Sequence, residues 1–282
     1  MPIHLPAQNR RQFLFTLGAG FVTCSTGLLA ADQKTQQSDI VYLLNDTHIG
    51  EKHPPKSPIP THLREIVTEL VELPQKPACV LINGDLALRD GQPGDYRHFA
   101  SLIQPLQGAK IDTHLTLGNH DERDVFYEVM QEQRPSVVQT KFANFFLLDS
   151  LHKTMVTQGT LGKEQRTWLA RALDAHADKP AIIVTHHNPR LGGDPVHFPG
   201  GLTDSEELWE LLVSRPQVKA YIHGHIHDRG NAQHKGIHIL NTPATSYVAN
   251  PDHSTTGWTV AQLTPTGVTL TTRTNIKDHA WN

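Results

Sequence analysis

The 282-residue sequence lacks the features that mark several common classes of protein. It has only two cysteines, which excludes a framework of several disulfides. Charged residues make up only 19% of the chain, which makes a coiled coil or a disordered chain a poor fit. The net charge is −3, which does not suit a protein that coats nucleic acid or an anionic membrane. The hydrophobic fraction of 38% is modest, but at this length it suffices for the core of a folded domain.

Long uncharged runs are also scarce, and the one that stands out lies near the N-terminus. It follows Arg10-Arg11, extends from Gln12 to Ala31, and ends in the small residues Ala30-Ala31. This order is typical of a signal peptide, and paired arginines followed by Phe13-Leu14 are similar to a bacterial twin-arginine export signal. We therefore predict a signal peptide over residues 1–31.

The predicted signal has consequences for the mature protein. It would engage the twin-arginine export machinery and deliver a periplasmic or extracellular protein. The mature protein would then have no stable membrane span. The alternative is that the signal stays uncleaved and anchors the protein in the membrane. Cys24 would be removed with the signal, which leaves Cys79 inside an apolar run. An exported protein without an internal disulfide depends on its core and on any bound metal for stability.

Histidine is the residue type in excess, with 19 in the chain. Imidazole is the commonest metal ligand and the main acid–base group near neutral pH. The excess therefore directs attention to a metal or catalytic site.

Short β-type runs alternate with helical patterns, which predicts one α/β domain over residues 38–274. The predicted strands are Ile40–Leu44, Ala78–Ile82, Ile111–Leu117, Phe142–Leu148, Ala181–Thr185, Val218–Ile222 and Ile237–Leu240. The predicted helices are Thr61–Leu73, Asp95–Leu106, Lys163–Leu173 and Asp204–Val213, and a β-hairpin is predicted over Gly257–Thr274. The loops Ile49–Pro60 and Asn188–Thr203 are long and rich in Pro and Gly, which is typical of functional loops.

Polar blocks follow five of the predicted strands directly. They are Asp46-Thr47-His48, Gly84-Asp85, Gly118-Asn119-His120-Asp121, His186-His187 and Gly224-His225-Ile226-His227. Ligands of α/β proteins bind outside the carboxyl ends of strands, so the blocks are expected to converge. If the backbone is extended, residues two apart point the same way, which predicts Asp46 beside His48 and His225 beside His227. Carboxylate, amide and imidazole donors without thiolate suit Mn, Fe or Zn.

The order of these blocks resembles the calcineurin-like metallophosphoesterase superfamily, over about residues 40–228. The resemblance implies a four-layer αββα sandwich with two metal ions at the strand ends. It assigns Asp46, His48, Asp85 and His227 to one ion, and Asp85, Asn119, His186 and His225 to the other, so that Asp85 bridges. Two such ions can clamp the attacking and leaving oxygens of a displacement at phosphorus.

Two residues of the third block are predicted to be catalytic. His120 follows a ligand and cannot easily face the same ion, so it is expected to protonate the leaving alkoxide, with Asp121 orienting its ring. Two further residues, His187 and Arg123, are predicted to contact substrate. The alternatives are a structural role for His187 and a salt bridge at a helix start for Arg123.

Within the superfamily the motifs are similar to the class III cyclic-nucleotide phosphodiesterase and glycerophosphodiesterase group. The block Gly84-Asp85-Leu86 lacks the continuation typical of protein Ser/Thr phosphatases, and Leu88 stands where purple acid phosphatases have Tyr. Asn188 departs from the group, which usually has Pro there. The sequence thus predicts an exported dinuclear-metal enzyme that hydrolyses small-molecule phosphodiesters through metal-activated hydroxide. A broad-range phosphomonoesterase and an inactive metal-bound binding protein are the alternatives.

Overall fold

The computed structural model describes residues 39–54, 56–132, 135–191, 200–247 and 256–274. The predicted signal peptide and the middle of the loop Asn188–Thr203 lie outside the described residues, and both remain predictions. In the part of the chain that is described, no helix combines the length and apolar character needed to cross a membrane.

The described residues form strands and helices that alternate along most of the chain. The strands are β1 (Asp39–Asn45), β2 (Cys79–Asn83), β3 (Thr113–Thr116), β4 (Ser136–Gln139), β5 (Asn144–Leu147), β6 (Ala181–Val184), β7 (Val218–His223), β8 (Gly230–His234), β9 (Ile237–Asn241), β10 (Gly257–Thr264) and β11 (Gly267–Thr274). The helices are α1 (Ile59–Glu72), α2 (Pro93–Gly108), α3 (Arg123–Met130), α4 (Gly162–Ala175) and α5 (Ser205–Val213). Each predicted strand and helix has a counterpart here, whereas β4, β8 and α3 were not predicted.

The strands form two mixed sheets. The first sheet has the order β11-β10-β1-β2-β3, and the second has the order β4-β5-β6-β7-β9-β8. Strands β1, β2 and β3 are parallel, as are β5, β6, β7 and β9. The carboxyl ends of the parallel strands therefore lie together at one edge of each sheet.

Three apolar clusters separate four layers. One cluster packs α1, α2 and α3 against the first sheet, with Leu63, Tyr96 and Phe126 among its buried members. A second lies between the sheets and includes Cys79, and a third packs α4 and α5 against the second sheet around Trp209. The predicted four-layer αββα sandwich is confirmed.

Helix α1 shows why these segments become helices against a sheet. Its buried residues Leu63, Ile66, Val67 and Leu70 recur at helical spacing and form one apolar face. Helix α2 begins at a capping box between Gln92 and Asp95, which satisfies backbone donors of its first turn. These helices support the first sheet from outside and leave its strand ends open for the site.

Candidate metal centre

The five polar blocks lie where the parallel strands end. Three follow β1, β2 and β3 of the first sheet, and two follow β6 and β7 of the second. Because the two sheets face each other across the middle cluster, both contribute side chains to one place. The predicted convergence of the blocks is observed.

Two groups of donor atoms form at this place. One consists of Asp46, His48, Asp85 and His227, and the other of Asp85, His186 and His225. In each group one ligand atom per residue lies within 4.8 Å of the others, and every residue is buried. Asp85 belongs to both groups, so the structure offers a dinuclear arrangement with a shared carboxylate.

The spacing of the donor atoms fits a metal ion. Two donors about 2.0–2.2 Å from one ion, at tetrahedral to octahedral angles, are separated by about 2.8–3.6 Å. Nε2 of His227 lies 3.1 Å from Oδ1 of Asp46, and Nε2 of His48 lies 3.2 Å from Nε2 of His227. Nε2 of His186 and Nε2 of His48 lie 3.2 Å and 3.6 Å from Oδ2 of Asp85.

Buried atoms without hydrogen-bond partners supply a second test of the fit. Among the described residues, Oδ1 of Asp46, Oδ1 of Asn119 and Nε2 of His186 are buried and make no hydrogen bond of acceptable angle, although two of them have a polar neighbour within 3.2 Å. An unsatisfied buried polar atom is costly, and a bound cation is one way to satisfy it. The Asn119 oxygen is buried without a partner, and its place as a ligand of the second group stays a prediction.

The charge state of the site also suits a cation. Burial opposes the charged form of Asp85, but the neighbouring imidazoles outweigh it and hold the pKa of Asp85 well below its usual value. Burial lowers the pKa of His48 to about 4 and that of His225 to about 3. Burial also disfavours charge on His186, yet the carboxylates of Asp85 and Asp46 raise its pKa to about 9. Ionised carboxylates and neutral imidazoles are the forms that bind metal, so Asp85, His48 and His225 have the binding form near neutral pH. His186 would have to release its proton when a cation binds.

The backbone of five candidate ligands is left-handed rather than extended. The φ angle is 50° at Asp46, 48° at His48, 47° at Asp85, 69° at His225 and 55° at His227. Non-glycine residues rarely adopt this region, and such strain clusters at functional sites. The premise of extended backbone was therefore wrong. Asp46 and His48 nevertheless belong to one group, as predicted, whereas His225 and His227 fall into different groups.

At Gly84 and Gly118 the backbone passes so close to a candidate ligand that there is no room for a side chain. A Cβ on Gly84 would lie 2.5 Å from Nδ1 of His186, and a Cβ on Gly118 would lie 2.2 Å from Oδ1 of Asp85. Both distances are far below contact, so no other residue fits without moving a ligand.

His120 lies beside the two groups. Its backbone N–H donates to Oδ1 of Asp85 at 2.8 Å, and its ring packs edge-on against His48 with 4.9 Å between centroids. Nδ1 lies 2.9 Å from the carbonyl oxygen of Arg89. A carbonyl can only accept, so Nδ1 carries the proton and Nε2 is the atom that can exchange one with a substrate.

Asp121 does not orient that ring, which corrects the prediction. Its carboxylate accepts the backbone N–H groups of Leu86, Ala87 and Gly118, and the hydroxyl of Tyr96. Burial and then the charge of Asp85 raise the pKa of Asp121 to about 7, against the effect of these donors. Asp121 therefore ties the block after β2 to the block after β3.

His187 is placed behind the ligands. It is fully buried, its ring lies 4.5 Å from that of His225, and its Nδ1 lies 2.8 Å from the hydroxyl of Ser150. Burial lowers its pKa well below the usual value. This position does not support the predicted contact with substrate and fits the structural alternative.

Arg123 pairs its side chain with groups other than the candidate ligands. It begins α3, and its guanidinium pairs with Asp149 and the carbonyl of Leu151. It lines a cavity of about 500 Å³ shared with Tyr127 and Trp168, which none of the candidate ligands lines. The helix-start salt bridge is observed, and the predicted contact with substrate is not supported.

Sequence reasoning missed two segments at the site. After β5, Ser150 contacts His187, and the N–H of Met155 donates to the carbonyl of Asn119 at 2.7 Å. After β9, the half-buried ring of Tyr247 lies 4.5 Å from the ring of His48 and 5.1 Å from that of His227. Neither segment carries a recognisable motif, although both follow predicted strands.

Comparisons with known proteins agree with this geometry. A profile of the family described as calcineurin-like phosphoesterase matches residues 41–229. The chain is 31% identical over 176 residues to the 3′,5′-cyclic adenosine monophosphate phosphodiesterase CpdA of Vibrio vulnificus. The match covers 61% of this chain and 62% of that enzyme. It is 30% identical over 185 residues to a 3′,5′-cyclic-nucleotide phosphodiesterase of Nostoc, covering 64% of this chain and 68% of the relative.

A solved structure matches the fold as well. It is a dimetal phosphatase from Danio rerio, with a TM-score of 0.64 and 16% identity, and the match covers 86% of this chain and 98% of that one. At this identity the likeness concerns the fold alone. Taken with the profile match across all five blocks, it leads to one conclusion: the chain belongs to the calcineurin-like phosphoesterase family.

Proposed function

We propose that this protein is a dinuclear-metal phosphodiesterase acting on 3′,5′-cyclic nucleotides or similar small phosphodiesters. The proposal rests on one observation: Asp85 belongs to two buried ligand groups, and His120 lies beside them. In the proposed site, one ion is held by Asp46, His48, Asp85 and His227. The second ion is held by Asp85, Asn119, His186 and His225. The donor set, without thiolate, suits Fe, Mn or Zn.

The residues of the chain divide the work of hydrolysis. Once bound, the two ions would supply Lewis-acid stabilisation of phosphoryl oxygens and a water nucleophile of lowered pKa. His120 holds a proton at Nε2 and delivers it to the oxygen that leaves phosphorus. In a cyclic nucleotide a hydroxide oxygen forms a new bond to phosphorus while one P–O bond to the sugar breaks. The leaving sugar oxygen takes the proton of His120 and becomes a hydroxyl, which gives a nucleoside monophosphate. The carbonyl of Arg89 keeps the ring of His120 in place throughout.

The names of the relatives support the cyclic substrate. The matched proteins of Vibrio vulnificus, Nostoc and Escherichia coli are all named as cyclic-nucleotide phosphodiesterases, at 29–31% identity. Ring opening of such a substrate expels a sugar alkoxide, which is a poor leaving group and needs a proton donor. His120 meets that need.

Turnover of four substrates tests the proposal. The Mn²⁺-loaded protein is given cyclic AMP, a glycerophosphodiester, bis(nitrophenyl) phosphate and nitrophenyl phosphate, with Asp85→Asn and the exposed His238→Ala as paired variants. We expect turnover of the diesters, loss of it in Asp85→Asn, and no change in His238→Ala. Turnover of the monoester alone would favour the phosphomonoesterase, and two bound ions without turnover of any ester would favour the binding protein.

We also propose that the protein is exported through the twin-arginine pathway. The support is Arg10-Arg11 followed by an uncharged segment. The double substitution Arg10→Lys/Arg11→Lys should leave precursor in the cytoplasm, whereas Gln8→Ala should be exported normally. Normal export of the double variant would overturn this proposal and leave the enzymatic one untouched.

A further inference from the structure

Two buried asparagines stand at matching positions of neighbouring strands. Asn45 ends β1 and Asn83 ends β2, and the two are register partners in the parallel pair. Their exposed fractions are 0% and 3%. Burial of a carboxamide is unfavourable unless its polar atoms find partners, so the partners of each show what the side chain holds.

Asn45 holds the carboxylate of Asp46. Its Nδ2 donates to Oδ2 of Asp46 and, at 3.3 Å, to the carbonyl of Thr242, which follows β9 in the second sheet. The hydroxyl of Thr242 donates back to Oδ1 of Asn45 at 2.6 Å. Oδ2 of Asp46 is thus engaged, and Oδ1 is the oxygen that lies 3.1 Å from Nε2 of His227.

Asn83 holds the segment of His186. Its Nδ2 donates to the carbonyl of Thr185 at 2.7 Å, one residue before His186 and directly after β6 of the second sheet. The backbone carbonyl of Asn83 lies 3.0 Å from Nδ1 of His186, which sets the tautomer that turns Nε2 toward Asp85. The hydroxyl of Thr116 donates to Oδ1 of Asn83 at 2.6 Å and fixes the amide.

The ligands come from two sheets, so their spacing depends on what joins the sheets at this edge. Asn45 connects β1 to the segment after β9, and Asn83 connects β2 to the segment after β6. We infer that Asn45 and Asn83 are positioning residues, each dedicated to a different metal ion. Asn45 serves the ion of Asp46 and His227, and Asn83 serves the ion of His186. The inference rests on the dinuclear site proposed above.

Titration of the EDTA-stripped protein with Mn²⁺ tests this by calorimetry. The variants are Asn45→Ala, Asn83→Ala and the double variant. Asn144→Ala is the matched control, because Asn144 is an equally buried asparagine at the opposite, amino end of β5, where its Nδ2 donates to the carbonyl of His176. Groups that orient ligands typically contribute about 10–100-fold to metal affinity, so each single variant should weaken one ion by that factor and leave the other at wild-type affinity.

The double variant decides whether the two act separately. We expect it to weaken both ions. One ion retained at full affinity would show that both asparagines serve the same site, and unchanged binding in either single variant would show that it positions nothing. An equal loss in Asn144→Ala would trace the effect to general destabilisation. Fewer than two ions in the wild type would instead refute the dinuclear function itself.

Isosteric variants cover the case in which an alanine variant does not fold. Thr242→Val and Thr116→Val each remove the hydroxyl donor to one asparagine at nearly constant volume. Thr242→Val should weaken the ion served by Asn45, and Thr116→Val should weaken the ion served by Asn83. Wild-type binding in both would overturn the inference.

Discussion

The proton on Nδ1 of His120 points at the Arg89 carbonyl, so the reactive atom of this residue is Nε2. His120→Ala should keep both metal ions and the fold, because no ligand atom is removed. Its rate on a cyclic nucleotide should fall by about 10²–10⁴-fold, the usual contribution of general acid–base catalysis. On bis(nitrophenyl) phosphate the loss should be much smaller, since nitrophenolate leaves without a proton.

Steady-state rates on both esters, together with metal analysis, check this prediction. His238→Ala, which removes an exposed imidazole from β9, should change neither rate. Equal losses on the two esters, or a missing ion in His120→Ala, would show that His120 is not the proton donor.

Tyr247 is the second residue whose effect should depend on substrate. Its ring covers His48 and His227 from the segment after β9. An aromatic face stacks on a nucleobase with about 1–3 kcal/mol per base. Tyr247→Ala should therefore raise KM for cyclic AMP by about 5–150-fold and affect a small alkyl diester far less. Tyr247→Phe should behave as wild type, and a loss in Tyr247→Phe as large as in Tyr247→Ala would assign the effect to the hydroxyl instead.

Between elements, Asp121 fastens the end of β3 to the end of β2. Asp121→Ala would leave three backbone N–H groups without their acceptor, and each unsatisfied buried donor costs about 1–3 kcal/mol. We expect a loss of at least about 3 kcal/mol in free energy of unfolding, measured by urea denaturation in EDTA. Asp121→Asn should lose less, since it retains one acceptor oxygen. A leaving-group dependence like that of His120→Ala, without loss of stability, would restore the catalytic role first predicted for Asp121.

At the scale of strands and helices, most of the architecture was predicted from the sequence. Strand Cys79–Asn83 is buried on both faces and reads as a continuous apolar run. Helix Ile59–Glu72 buries one face, and its apolar residues recur at the helical period. Strand Gly230–His234 shows no such pattern, because it is an exposed edge strand made largely of polar residues. Helix Arg123–Met130 is short and buries a single residue completely, Phe126, so its apolar face is weak in the sequence.

The candidate site was predictable only where side chains repeat in a motif. The residue types in the five polar blocks, and the order of these blocks along the chain, predicted which residues would gather around Asp85. The left-handed backbone at His225 was not visible, because neither histidine nor aspartate signals it as glycine does. The partner of His120 was missed since it is a backbone carbonyl, and Asn45 and Asn83 precede the motifs that drew attention.

For the whole molecule, the two ions should act as a bridge between sheets. Binding at 100 times the dissociation constant stabilises by about 2.7 kcal/mol per site, so chelation should lower Tm by about 10–20 °C. Asp85→Asn should weaken both ions because both groups use it, whereas Asn119→Ala should weaken one. Differential scanning calorimetry with and without EDTA, alongside metal analysis, measures both effects. A single ion with full activity would refute the dinuclear mechanism.

The left-handed ligands imply that this protein is less stable than its scaffold would allow. A left-handed conformation costs a non-glycine residue about 1–2 kcal/mol, and glycine escapes that cost. His225 has a φ angle of 69°. His186 belongs to the same candidate ligand group, but its backbone is not left-handed. In EDTA, His225→Gly should therefore be less destabilising than His186→Gly, by about 1–2 kcal/mol in urea denaturation. Equal losses would mean that the backbone at His225 is relaxed. The expected difference describes a trade-off in which selection for a cation site has kept the metal-free chain away from its own stability optimum.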